Sequence, residues 1–254
     1  MKIFSWNVNG LRAATKKGLV DWIKEEQPDI LCIQESRANL DQLPKKAKEI
    51  EGYKFFINSG DKKGYSGTAV YYKKDPKNII MGLPDERFND EGRTTIFEYD
   101  DFVLFNIYFP NGQSSDERLE FKMDFYDEFL RYSNELVAKG KKVVACGDYN
   151  TAHQPMDLKN DKANADRSGF LPIEREWLDK YIDNGYIDTF RYLHPDEVKY
   201  SWWTYRFNAR KNNAGWRIDY FFISENMKDQ LISAEIHNDV FGSDHCPISI
   251  EIKE

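Results

Sequence analysis

The chain has 254 residues, 41% hydrophobic and 31% charged, with a formal net charge of −7. That length suits one large α/β domain or two small ones, long enough for a two-layered core, and no apolar run reaches the roughly 18 residues of a transmembrane helix. The acidic total argues mildly against a polyanion partner. Cys32, Cys146 and Cys246 are too widely spaced for a disulfide framework or a zinc cluster and fit a reduced, intracellular protein.

Ile3 to Val8 reads as a short apolar strand, not as a signal peptide, and it leaves through the turn-rich Asn7-Val8-Asn9-Gly10. Leu19, Val20, Trp22 and Ile23 have helical spacing, which predicts a helix over Gly18 to Glu26 that Pro28 stops. Ile30, Leu31, Cys32 and Ile33 form a continuous apolar run ending at Gln34-Glu35-Ser36. This β–α–β order predicts two neighbouring strands ending on one edge of a sheet, with Asn7 and Glu35 close together. Thr68 to Tyr72 predicts a further strand, and Thr94 to Tyr99 with Phe102 to Tyr108 a hairpin across Asp100-Asp101. The second arm runs into Tyr108-Phe109-Pro110-Asn111-Gly112. Ser114-x-x-Glu117 has the form of a capping box opening a long helix that Gly140 ends.

Val143 to Cys146 is then a strand ending at Gly147-Asp148-Tyr149-Asn150-Thr151-Ala152-His153. A carboxylate at the carboxyl end of a strand stands where α/β folds place their chemistry, although Gly, Asp and Asn are equally the residues of turns. Asn160 to Gly169 reads as a polar loop, followed by a helix from Pro172 to Gly185. Tyr200 to Trp203, Arg217 to Ile223, Ala234 to His237 and Ile248 to Ile252 read as strands. Strands with interleaved helices and hairpins predict an α/β chain with mixed sheets. No linker or repeat interrupts it, which predicts one domain, 1–254.

Glu35, Asp148 and Asp244 each lie at the end of an apolar strand, as do the amides Asn7, Asn111 and Asn150. Asp219 is embedded in Arg217-Ile218-Asp219-Tyr220-Phe221-Phe222-Ile223 and needs a partner there, because an unpaired buried charge is costly. His245 is a natural one: a carboxylate would fix its tautomer and favour its protonated form. Taken alone, Asp219 reads equally as a structural acid, and Asp244-His245 as an ordinary loop. Taken together, these acids and amides with one histidine have the make-up of a hard-cation site for phosphoester hydrolysis. Oxygen ligands without cysteine suit magnesium or manganese.

Six motifs in this order carry a resemblance: Ser5-Trp6-Asn7-Val8-Asn9-Gly10-Leu11-Arg12-Ala13, Leu31-Cys32-Ile33-Gln34-Glu35-Ser36, Tyr108-Phe109-Pro110-Asn111-Gly112, Gly147-Asp148-Tyr149-Asn150-Thr151-Ala152-His153, Gly215-Trp216-Arg217-Ile218-Asp219-Tyr220-Phe221 and Gly242-Ser243-Asp244-His245-Cys246-Pro247. From first strand to last the chain resembles the exonuclease III / apurinic-apyrimidinic (AP) endonuclease family of DNase I-like metal-dependent phosphoesterases. The resemblance implies a four-layered α/β sandwich, two mixed sheets packed face to face with helices outside. It implies cleavage of duplex DNA on the 5′ side of an abasic sugar, leaving a 3′-hydroxyl, with 3′–5′ exonuclease or 3′-end-cleaning activity. It further implies a monomer that works in the cytoplasm at the nucleoid and away from membranes.

By matching motif, Glu35 is the principal metal ligand, with Asn7 and Asp244 near the metal and Asp148, Asn150 and His245 bordering it. Asp148 deprotonates the attacking water. Asn150 holds Asp148 and the phosphate, and His245, paired with Asp219, contacts the phosphate. Tyr108 and Asn111 support the phosphate and leaving group. Asn9 stands where some relatives carry an aspartate, so a second carboxylate near the metal is missing.

Tyr200 to Arg217 contains no acid and is rich in basic and aromatic residues, a local field that offsets the acidic total. A core strand followed by a cationic loop would read the same way. In the family, positions matching Trp202, Trp216 and Ile218 wall the pocket for the flipped abasic sugar. Arg206 and Phe207 match residues that probe the grooves, and Asn164 and Arg210 join the DNA-facing set. The competing readings are a nonspecific DNase or other phosphoesterase of the same fold, and a DNA-binding protein that has lost catalysis.

Overall fold

The structure is a computed structural model and describes residues 1–253. The chain opens with β1 (Lys2–Asn7), α1 (Leu11–Lys16), α2 (Leu19–Glu26), β2 (Ile30–Gln34), α3 (Lys45–Lys48), β3 (Lys54–Asn58) and β4 (Thr68–Tyr72). It continues through β5 (Asn78–Met81), β6 (Thr94–Glu98), β7 (Val103–Tyr108), α4 (Asp116–Ala138) and β8 (Val143–Asp148). The last part is α5 (Pro172–Asp183), β9 (Tyr186–Asp188), α6 (Thr189–Leu193), β10 (Asp219–Ser224), β11 (Leu231–Ile236) and β12 (Ile248–Ile252).

Two six-stranded sheets result, in the orders β11-β12-β1-β2-β4-β3 and β5-β6-β7-β8-β10-β9. Both are mixed. β1 and β2 are parallel, as are β7 and β8, and the remaining pairs are antiparallel.

Side chains alternate across a strand, so each strand contributes to two apolar layers. Ile3, Cys32, Val70, Leu104, Val144, Cys146, Phe221 and Ile250 fill the space between the sheets. The intervening residues of the first sheet, such as Phe4, Leu31 and Ile33, pack under α1 and α2. Those of the second, such as Phe105, Ala145 and Phe222, pack under α4 and α5 with Phe125, Phe129, Trp177 and Tyr181. Three apolar layers between four layers of backbone make the expected sandwich.

The same alternation positions the polar residues. Continuing the inward series by one step in each strand gives Asn7 after Ile3 and Ser5, Gln34 after Ile30 and Cys32, and Tyr108 after Leu104 and Asn106. It likewise gives Asp148 after Val144 and Cys146, and Asp219 before Phe221 and Ile223. All five emerge between the sheets at one end of the sandwich.

Several local expectations are corrected. Tyr200 to Trp203 is not a strand. Trp202 makes single-residue bridges to Trp216 and His245 and nothing longer. The long helix is capped by Ser115, whose side chain accepts from the Arg118 backbone N–H, and not by Ser114. The short α1, α3 and α6 and the strands β3, β5 and β9 had no expectation attached to them. Within the loop expected over Asn160 to Gly169, Lys162–Asn164 forms one 3₁₀ turn.

Candidate active site at the mouth of the two sheets

Strand register builds the site. β7 and β8 place Tyr108 beside Asp148, and β8 and β10 place Asp148 opposite Asp219. Three functional groups therefore stand in a row on adjacent strands of one sheet. From the facing sheet, Asn7 pairs in register with Gln34, and Glu35 follows directly. The Asn7 amide joins the two sheets: Nδ2 donates to Glu35 Oε2 at 3.0 Å and to Asp148 Oδ2 at 2.9 Å. The expected proximity of Asn7 and Glu35 is thus observed.

Asp148 is buried, and Asp219 and His245 are buried beside it. His245 Nδ1 lies 2.8 Å from Asp219 Oδ2, and its Nε2 lies 3.7 Å from Asp148 Oδ2. Burial by itself would lower the imidazole pKa, but the Asp219 and Asp148 carboxylates outweigh it and raise it to about 10. The ring is therefore an imidazolium at neutral pH. Burial pushes the Asp148 carboxyl upward. His245 opposes that push, Asp219 adds to it, and hydrogen bonds from the Asn150 backbone and the Asn7 amide oppose it. Tyr108's phenol is raised by burial and by Glu35, while the Arg93 guanidinium, 4.6 Å from its ring, works the other way.

The turns that carry these groups have constrained backbones. Glu35 and Asn150 both have left-handed φ, at 56° and 52°, a conformation that is uncommon for non-glycine residues and concentrates at functional sites. Gly147 at φ 144° has its α-carbon so close to β7 that an added Cβ would lie 1.7 Å from the Ile107 carbonyl oxygen. Asn150 folds back on its loop. Its N–H donates to Asp148 Oδ1 at 2.8 Å, and its Nδ2 donates to the Phe109 carbonyl at 2.8 Å. Its Oδ1 accepts from Asn111 Nδ2 at 3.2 Å.

The expected metal-bordering set falls into linked parts. Glu35, Asn7 and Asp148 are joined directly. Asp244 stands nearby, its Oδ1 accepting from Asn9 Nδ2 at 3.1 Å and its Oδ2 from Trp202 Nε1 at 3.2 Å. Ser243 ties this loop to the first strand by donating to the Asn7 carbonyl at 2.8 Å. Among the described residues, Asp148, Asp219 and His245 form the group whose ligand-type atoms lie within 4.8 Å of one another, and Asp219 Oδ1 has no hydrogen-bond partner. The donors at the mouth are carboxylate and amide oxygens, while all three cysteines are buried and free. Such a set fits a hard divalent cation.

Beside the carboxylates lies an aromatic recess. Trp202 and Trp216 meet edge to face with ring centroids 6.2 Å apart, over Leu158, Phe170 and the buried Ile218. Next to it Arg206 is exposed and Phe207 is 86% exposed. Arg210 is differently engaged. Its guanidinium donates to the carbonyls of Ser243, Asn238 and Val240 and lies over Trp203 and Phe241, so it braces the Asp244 loop. Asn164 is half-buried, and its Nδ2 donates to the Asn160 carbonyl at 2.7 Å.

Three contributors had no expectation attached. Arg37 pairs with Glu35 Oε1. Ser201 donates to Asp219 Oδ2 at 2.6 Å and accepts from the Ile218 and Asp219 backbones. Lys122 donates to the Asn150 carbonyl at 2.8 Å. Of these, Lys122 left a trace in the sequence: it falls on the apolar stripe of its helix, in step with Phe125, Tyr126 and Phe129.

Residues 4–245 match the Endonuclease/Exonuclease/phosphatase family. The chain is 44% identical over 254 residues to the exodeoxyribonuclease of Bacillus subtilis (strain 168), covering 99% of each. It is 43% identical over 253 residues to the DNA repair nuclease APEX1 of Danio rerio, covering 98% of this chain and 81% of that protein. The solved structure of an AP endonuclease from Archaeoglobus fulgidus superimposes with a TM-score of 0.90 at 26% identity, covering 100% of both chains. The chain belongs to the Endonuclease/Exonuclease/phosphatase family, in its exonuclease III and AP endonuclease branch.

Proposed function

We propose that this chain is a DNA repair nuclease. It hydrolyses the phosphodiester on the 5′ side of an abasic site in duplex DNA, leaving a 3′-hydroxyl, and trims 3′ ends by exonuclease or end-cleaning action. It acts as a monomer through one catalytic domain, 1–254, in the cytoplasm at the nucleoid. No helix among the described residues is long and apolar enough to cross a membrane. The observation that carries the reading is the convergence of Glu35 from one sheet with Asp148 from the other, joined by a single Asn7 amide, with Asp219 opposite Asp148 on the next strand and the Trp202–Trp216 recess beside them.

Magnesium or manganese would be held by Glu35 with Asn7 and Asp244, and when bound it supplies positive charge to the phosphate and the leaving oxygen. The protein's own groups do the rest. Asp148, raised by burial and held by Asn150 N–H and Asn7 Nδ2, accepts the proton of the attacking water. His245 is charged and clamped at Nδ1 by Asp219, so its Nε2–H is free to donate to a non-bridging phosphate oxygen. The P–O bond to the upstream 3′ oxygen breaks as the water oxygen bonds to phosphorus, and the leaving oxygen takes a proton from solvent water to become the 3′-hydroxyl. Tyr108 and Asn111 support the phosphate and this leaving oxygen. The ring-lined recess of Trp202, Trp216 and Ile218 takes the extruded sugar, while Arg206, Phe207, Asn164 and Arg210 form or brace the DNA-facing rim.

The test is cleavage of duplex oligonucleotides that are abasic, nicked, blunt or carry a deaminated base, with and without chelator. We expect cutting on the 5′ side of the abasic sugar, lost in chelator and restored by magnesium or manganese. Full activity in excess chelator, or equal cutting of abasic and intact duplex, would contradict the reading.

A further inference from the structure

Lys122 lies on the inner stripe of α4, and its side chain and that of Glu174 on α5 are both 0% exposed. An ammonium has three N–H donors, and here each has a partner. Nζ donates to the Asn150 carbonyl at 2.8 Å, to Thr151 Oγ1 at 2.9 Å and to Glu174 Oε1 at 2.7 Å. Glu174 accepts in addition from Ser168 Oγ at 2.7 Å, from Gly169 N–H at 2.6 Å and from Leu171 N–H at 3.0 Å. Ala152 N–H closes the arrangement by donating to the Gly169 carbonyl at 2.8 Å. One buried ion pair therefore ties the turn after β8 to the segment leading into α5.

The contact that matters chemically is the one to Asn150. That residue sits in the left-handed region, its N–H holds Asp148 Oδ1, and its side chain is fixed by Phe109 and Asn111. Its own carbonyl is gripped from below by Lys122, while the flanking Tyr149 and Thr151 carbonyls are held by the Tyr126 and Tyr220 hydroxyls. Burying a lysine and a glutamate carries a desolvation cost, and apolar residues of similar volume commonly hold a fold as well or better. Burial also draws the Lys122 pKa down, with Glu174 opposing it. Glu174 has a structural task of its own, accepting from the Gly169 and Leu171 N–H groups at the start of α5; the fold does not by itself require the lysine that reaches from it to the Asn150 carbonyl.

We propose that Lys122 and Glu174 are positioning residues for catalysis: they lock the Asn150 peptide in its left-handed turn and thereby aim Asp148 at the attacking water. This rests on the roles assigned to Asp148 and Asn150 under Proposed function.

The test is the double variant Lys122→Met/Glu174→Leu, which removes both charges together, assayed on abasic duplex beside wild type and Asp148→Asn. The expected result is a lowered thermal midpoint, because the Gly169 and Leu171 N–H groups lose their acceptor, with unchanged KM and duplex affinity and a kcat lower by about thirtyfold in the folded protein. If the double variant does not fold, Thr151→Val and Thr151→Ser carry the test. Valine, which keeps the shape and loses the hydroxyl that Lys122 shares with the Tyr126 hydroxyl, should lower kcat several-fold at constant KM, and serine should restore it. A folded double variant, or Thr151→Val, with wild-type kcat overturns the proposal, as does a rise in KM at constant kcat. An active Asp148→Asn overturns the reading of the site itself. An inactive Asp148→Asn beside a fully active double variant overturns the positioning role alone.

Discussion

Asp148 and Asp219 are directly opposite on neighbouring strands, an arrangement that two ionised carboxylates oppose by mutual repulsion. His245 resolves it by standing between them as a cation, 2.8 Å from Asp219 Oδ2 and 3.7 Å from Asp148 Oδ2. The three residues therefore act as a unit. Replacing His245 and Asp219 together should cost little more than replacing either one, since groups that act through each other are non-additive. A double-mutant cycle on kcat/KM checks this, and additive losses would mean that they act separately. A pH consequence has a definite sign. Burial lowers the His245 pKa and the carboxylates raise it to about 10. In wild type the imidazolium survives to alkaline pH. In Asp219→Asn one raising influence is gone, so the alkaline limb of the kcat profile should move to lower pH. An unmoved limb would detach His245 protonation from the activity.

At the scale of elements, the segment from Tyr200 to Ile218 shows how a recess is built without a strand. Its backbone is held by isolated bridges from Trp202 to Trp216 and His245 and from Leu158 to Trp216. Below them Arg217 is buried between Asp157 and Asp188, with Nε 2.8 Å from Asp157 Oδ1 and Nη2 2.8 Å from Asp188 Oδ2. The aromatic run at Tyr200 to Trp203 has strand-like composition, which is why its irregular backbone was not legible. Pairing residues 202 and 216 depends on a long loop between them that no local pattern encodes. The clustering of Trp202, Trp216 and Ile218 was legible, and the three do meet. A phosphodiester is the same at every backbone step, so the carboxylates cannot tell a lesion from intact DNA. Extruding an abasic sugar costs a few kcal/mol less than extruding a paired nucleotide, and rings that fill the space of a base add to the difference. Trp216→Ala should therefore lose activity on abasic duplex and gain relative activity on intact or damaged-base duplex. The ratio of kcat/KM values at fixed salt is the measurement. Both rates falling together would make Trp216 scaffold only.

For the molecule as a whole, the acids were readable because strand periodicity and chemistry coincide. Val143 to Cys146 is an apolar strand, and its inward series ends on Asp148. The same holds for Ile30 to Gln34 before Glu35. Elements with weak periodicity were not readable: α1 has six residues, and β5 is a four-residue edge strand with an exposed Asn78 and Met81. The partner of a buried charge was also hidden, since Asp157 meets Arg217 across sixty positions of sequence. That pair sets a stability prediction. Burial raises the Asp157 pKa, but Arg217 and Arg191 outweigh it and lower it to about 2. A carboxylate depressed on folding contributes stability that is complete above its unfolded pKa of about 4 and is lost as pH falls through its folded value. Asp157→Asn should cost roughly 2–4 kcal/mol at pH 7, and the gap should narrow between about pH 4 and pH 2. Urea midpoints across that range test it, and a gap independent of pH would remove Asp157 ionisation as the cause. The central claim is that Asp148 activates the water while other groups hold the DNA. Its most direct test is single-turnover cleavage of an abasic duplex in magnesium by wild type and Asp148→Asn, with duplex affinity measured alongside. The account predicts a cleavage rate lower by about a thousandfold or more, with binding retained. A variant that binds and cuts at the wild-type rate would contradict it.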